Sequence, residues 1–101
     1  MKYQWLKWHV VLVLLLLSGC GYPEVSPKTY EISKALYSVC NQKSEERLDA
    51  VEKLVQSSLE QKKINDSEAQ WLNGIITQAR EGDWEAAMQE SRQLMEDQVG
   101  R

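Results

Sequence analysis

The chain has 101 residues, with 12 Lys plus Arg, 15 Asp plus Glu, one His and a formal net charge of −3. Its single histidine, His9, lies in a basic-then-apolar leader that reads as removable. The remainder has no imidazole for general acid–base work, for Ser-His-Asp or Cys-His nucleophile activation, or for a His-containing zinc site. An acidic balance with scattered basic residues leaves no electrostatic footprint for nucleic acid.

The leader carries Lys2 and Lys7 and then the apolar run Val10–Leu17. A signal peptide has a basic start, an apolar stretch of about 7–15 residues and a small-residue cleavage site. The run falls short of the roughly 20 residues that a spanning helix needs. It ends in Leu17-Ser18-Gly19-Cys20: aliphatic, small, small, Cys. At every position of that short motif the segment resembles the bacterial lipoprotein signal family. The resemblance implies cleavage between Gly19 and Cys20, a diacylglyceryl group on the Cys20 thiol, and further acylation (palmitate) of the new amine. Several chains on one residue make a durable anchor, where a single chain binds only reversibly. The same resemblance implies a place in the cell envelope. In Gram-negative bacteria an Asp after the lipidated Cys signals inner-membrane retention. Gly21 stands there, which points to the outer membrane, facing the periplasm. The expected domains are a signal peptide at 1–19, lipidated Cys20 with a tether to residue 26, and a helical domain at 27–99. Removal of 1–19 leaves 82 residues with 10 basic and 15 acidic side chains, net −5.

Residues 21–26 read as the tether, because Pro23 and Pro27 discourage helix before residue 27. Six extended residues reach about 20 Å at roughly 3.3 Å each. Ser26-Pro27 then reads as N-cap and first helical position. Ile32, Ala35, Leu36, Val39 and Cys40 recur at helical spacing over about 27–42. Ser44 caps a second helix, about 45–63, with Glu45 and Glu46 in its first turn and Leu48, Val51, Leu54, Val55 and Leu59 on its apolar face. Lys62 and Lys63 suit its C-terminal end. Ser67 with Gln70 fits a capping box for a third helix, about 67–81, with Ala69, Leu72, Ile75, Ile76 and Ala79 facing inward and Gly82 as its stop. Asp83 caps a fourth, about 84–98, whose face is Trp84, Ala87, Met88, Leu94 and Met95. Glu96 and Asp97 oppose the dipole at its end, so fraying is expected there. No strand pattern appears. Short connections favour antiparallel neighbours, so the expected fold is all-α, a small antiparallel bundle of three to four helices.

Trp71 with Gly82-Asp83-Trp84-Glu85-Ala86-Ala87 resembles one tetratricopeptide-type helix pair over residues 68–99. The repeat's Leu-Gly pair falls on Gly74-Ile75, its Tyr on Gln78, its second aromatic on Ser91 and its closing Pro on Val99. No second copy lies 34 residues upstream, where Leu48 replaces Gly82. Trp71 and Trp84 therefore read either as core of a helix hairpin or as walls of a groove for a partner peptide.

Cys40 reads as a small core hydrophobe or, in an oxidising compartment with Cys20 consumed by lipid, as the site of a disulfide between two copies. Without an activating His it is no catalytic thiol. Tyr30 and Tyr37, seven residues apart, flank the core stripe of the first helix or offer an exposed aromatic edge for a partner or the membrane. Lys28 and Lys34 lie near the anchor and read as solvated or set against anionic headgroups. Glu45, Glu46 and Asp49 share a face, but Arg47 and Lys53 are interleaved, with Asp49 and Lys53 in salt-bridge register, and the cluster reads as structural. No phosphate loop, paired cysteines or calcium loop occurs. Together these features lead to a lipid-anchored exported module that binds an unidentified envelope protein, with no catalysis, metal or cofactor beyond the covalent lipid. A structural lipoprotein that self-associates, as a homodimer linked through Cys40, is the alternative.

Overall fold

Ser26 and Pro27 open the first helix because proline's fixed φ suits the first turn and the Ser26 hydroxyl accepts the N–H of Thr29 at 3.2 Å. A computed structural model describes residues 21–99, so the leader and Cys20 lie outside the described residues. Four helices follow: α1 Pro27–Gln42, α2 Glu45–Glu60, α3 Asp66–Arg80 and α4 Trp84–Glu96. There is no strand among the described residues. The fold is the all-helical bundle that the apolar periodicity predicts, with four members.

The ends of the helices depart from expectation in physically readable ways. The third helix starts one residue early, because Asn65, not Ser67, is its cap. The Asn65 side chain accepts the Glu68 N–H at 2.8 Å and the Glu68 carboxylate accepts the Asn65 N–H at 2.8 Å. Ser67–Gln70 has the same residue pattern, but Glu68 is held by a tertiary contact as well, and that decides the register. The second helix stops at Glu60, ahead of the predicted 63, because Lys62 turns left-handed at φ 61. Its N–H and that of Lys63 bond back to the Leu59 and Ser58 carbonyls at 3.0 and 2.9 Å. Lys43 ends α1 in the same way at φ 53, and Gly82 ends α3 at φ 88. Glycine is the usual residue in this closing turn, and lysine stands there twice. Asp83 occupies the cap position of α4 but makes no side-chain cap bond.

The core is built where the periodicity places it. Ile32, Leu36, Val39 and Cys40 meet Leu48, Val51 and Val55, the α3 stripe Ala69–Ala79, and Ala87 and Leu94 of α4. Helix α1 packs against all three others, most extensively against α4, while α2 and α4 do not meet. Small residues admit that packing. Ser33 and Ser91 have no exposed surface, and their hydroxyls donate to the carbonyls one turn back, Thr29 at 2.8 Å and Ala87 at 2.9 Å. Leu54 is the exception on the predicted faces, at 37% exposure. Ile64 runs the other way, since it is a turn residue by sequence yet buried. Arg80 ties α3 to α2 through Asp49 and Glu52, both at 2.7 Å, so Asp49 pairs across helices rather than with Lys53.

Gly74 lies inside α3, exposed, with nothing within 4 Å of where a Cβ would sit. Gly74→Ala is expected to stabilise the bundle by about 1 kcal/mol, the helix-propensity difference. Lys62→Gly is expected to stabilise it by about 0.5–1 kcal/mol by relieving the left-handed turn. Both are read as higher urea midpoints at unchanged slope.

Candidate functional site

Residues 21–26 are where expectation and structure differ most. They read as a spacer, yet they lie along the bundle as a strap. The Tyr22 N–H donates to Asp97 at 2.8 Å. The Tyr22 ring meets Trp71 edge to face, with centroids 5.4 Å apart, and its hydroxyl donates to Glu90. Gln98 clamps the next turn, accepting the Val25 N–H at 3.1 Å and donating to the Pro23 carbonyl at 2.9 Å. Val25 packs against the core. Burial, followed by the Glu90 contact and the negative charges of Glu90 and Asp97, pushes the Tyr22 phenol well above its ordinary pKa, so it stays a donor. Gly21 turns at φ 99, and a Cβ there would meet the Asp97 carboxylate at 2.6 Å. The C-terminal turn that Glu96 and Asp97 were expected to fray is thus the strap's landing place. Glu96 also pairs with Arg92 at 3.5 Å.

Glu68 completes this end. It is 3% exposed, and its second carboxylate oxygen accepts the Ser26 N–H at 2.6 Å. Burial alone would raise its pKa. The N–H groups of Ser26 and Asn65 and the hydroxyls of Ser26 and Thr29 outweigh it and hold the carboxyl below its usual value. One buried anion therefore joins the start of α1 to the start of α3.

The opposite end of the bundle carries an open cleft of about 460 Å³. Cys40 and Lys43 from the end of α1, the Gly82-Asp83 turn, and Trp84 and Met88 from α4 form it. Trp84 and Met88 are half-buried against the core, so their apolar bodies are fixed while their edges face the opening. Lys43 and Glu85 supply opposite charges at the rim. Such a cleft can hold a side chain of a partner. Among the described residues no group of His, Cys, Asp and Glu is placed to hold a metal ion. Nor is any described helix long and apolar enough to cross a membrane.

The aromatic candidates do not form one surface. Trp84 lines the cleft, and Cys40 lies beside it. Trp71 is at the strap end, covered by Tyr22. Tyr30 and Tyr37 are half-buried along α1. Cys40 is 2% exposed, and burial raises its thiol pKa. A disulfide between two folded copies would require the end of α1 to open. Gly19 and Cys20, the proposed cleavage and lipid positions, lie outside the described residues. Sequence reading missed Tyr22, Glu68, Glu90, Asp97 and Gln98. Only Glu68, three residues after Asn65, carried a signal, the capping pattern itself.

Glu68→Ala is expected to cost about 2–3 kcal/mol, because it strands two backbone donors at the strap end. The Glu68 carboxyl is lowered in the folded chain. Its contribution is therefore complete above the unfolded value of about 4.3 and disappears as pH falls through the folded one. Glu68→Gln should remove that acid-side loss, as followed by urea unfolding between neutral and acid pH. The Cys40 thiol should resist a disulfide reagent in the folded chain and react on unfolding, with a monomer band on non-reducing gels.

Comparison of the chain with known protein families, curated proteins and solved structures found no match.

Proposed function

We propose that this chain is an exported lipoprotein, anchored through Cys20, whose helical bundle binds another protein of the cell envelope and catalyses no reaction. The anchor rests on the Leu17-Ser18-Gly19-Cys20 motif after a basic and apolar leader. The observation that carries the binding role is the cleft at the end of the bundle away from Gly21, with Trp84 and Met88 on its wall. Aromatic residues and Met are enriched where proteins meet, because they offer large, adaptable apolar contact. The helix pair of residues 68–99, with its likeness to a tetratricopeptide unit, supports the same role. The implied site is small, so the contact would take a short segment or a single anchoring side chain rather than a broad face.

The outer membrane, periplasmic side, is the proposed place. Gly21 supports it less than the motif alone implies. Its positive φ and its contact with Asp97 already account for glycine there, without any sorting role.

Two experiments test the reading. Palmitate labelling should mark the wild-type chain and not Cys20→Ser, and Cys20→Ser should leave the membrane fraction. In crosslinked envelope extracts, the wild-type chain should recover a partner that Trp84→Ala loses by at least tenfold, the effect of about 1.4 kcal/mol. Gly74→Ala, exposed on α3 and outside the cleft's lining, should recover it unchanged. Equal recovery by Trp84→Ala, with the helical content retained, would remove the cleft from the function.

A further inference from the structure

We propose that the bundle stands directly on the bilayer in one orientation, with its strap end against the phospholipid headgroups and its Trp84 cleft facing away. The proposal rests on Cys20 being the lipid-bearing residue and goes beyond it, since an anchor alone sets neither distance nor direction.

Cys20 is bonded to Gly21, and consecutive Cα atoms are about 3.8 Å apart. Gly21 in turn sits against the Asp97 carboxylate, close enough that a Cβ would collide with it. From there to Ser26 the chain is held at Tyr22, Pro23, Val25 and Ser26. Tyr22 bonds to Asp97 and Glu90, Pro23 and Val25 to Gln98, and Ser26 to Glu68. The acyl chains therefore leave the bundle from its own surface rather than from the tip of a spacer about 20 Å long. The surface beside that exit must lie at the headgroups. It comprises the strap, the α2–α3 turn and the turn after α4.

The direction of the rest follows from helix geometry. Trp84 precedes Asp97 by 13 residues along α4, which at 1.5 Å per residue is about 20 Å further from the anchor. Trp71 lies beside Tyr22, at the anchored end. The surface at that end is mixed in charge. Lys62 and Lys63 lie there with Glu24, Glu60, Asp66, Glu96 and Asp97, so charge alone would not draw it to the headgroups. Its position is set by covalent attachment and the strap rather than by attraction, so it should not depend on salt.

The two tryptophans after residue 20 report the two ends. The lipidated full chain is reconstituted into phosphatidylcholine vesicles containing a dansyl-headgroup lipid, and energy transfer is measured in Trp84→Phe, which keeps Trp71, and in Trp71→Phe, which keeps Trp84. Transfer from Trp71 should exceed transfer from Trp84 several-fold and should persist at high salt. Equal transfer from both, or loss of the difference with salt, overturns the proposal. With Tyr22→Ala and Gln98→Ala added, and helical content retained by circular dichroism, the two signals should converge. Gln98→Ala alone, which removes no packed ring, serves if the double change unfolds the bundle. A difference that survives release of the strap also overturns the proposal. If the wild-type chain neither takes up palmitate nor associates with the vesicles, the lipid-anchor reading fails first and takes the orientation with it.

Discussion

One buried carboxylate holds the architecture of the strap end together. Glu68 accepts the N–H of Asn65, which starts α3, and the N–H of Ser26, which starts α1. An isolated buried anion is strongly unfavourable, and this one is stabilised by the N–H groups of Ser26 and Asn65, one on each carboxylate oxygen. The consequence runs in both directions. The donors keep Glu68 ionised, and the ionised Glu68 sets where two helices begin. It also sets the height at which the chain enters the bundle, because Ser26 is the last residue of the strap. The capping box of α3 and the docking of the N-terminal segment are therefore one structure rather than two.

That shared carboxylate explains why the sequence was legible in some places and not in others. Helix existence depends on apolar spacing within one segment, and all four helices could be read from it. Leu36, Leu72 and Leu94 lie fully buried where their periodicity puts them. Helix boundaries depend on whichever local bond wins. Asn65–Glu68 prevailed over Ser67–Gln70 through a partner 42 residues away in the chain. Lysines 43 and 62 took left-handed turns that glycine would signal, and no local pattern announces them. The strap was wholly illegible. Its bonds join residues 42 to 75 positions apart, and Tyr22 next to Pro23 looks like any polar linker. Glu96 and Asp97 illustrate the same point with opposite sign. Judged within α4, they oppose the helix dipole. Within the whole fold, Asp97 is the acceptor that the strap requires.

The candidate surface divided along the same line. Trp71 and Trp84 share a helix hairpin, and their spacing suggested a common role. The strap separates them, because Tyr22 covers Trp71 and leaves Trp84 beside an open cleft. Cys40 lies next to that cleft, buried with the core. Its burial makes it part of the wall's packing, and the raised thiol pKa leaves less of the nucleophilic thiolate.

A strap of this kind would change what the proposed anchor means physically. A lipid on a free six-residue linker would let the bundle sample a hemisphere of orientations, and a partner would pay the entropy of ordering it. With the linker docked, that ordering is done when the bundle folds, by hydrogen bonds to Asp97, Gln98 and Glu68 that also stabilise the C-terminal turn. On the proposed anchor, such pre-ordering would favour partners held at a set height above the bilayer and disfavour those that must be reached for. The small size of the Trp84 cleft fits this logic. A contact with few anchoring atoms gains most when its position is fixed in advance.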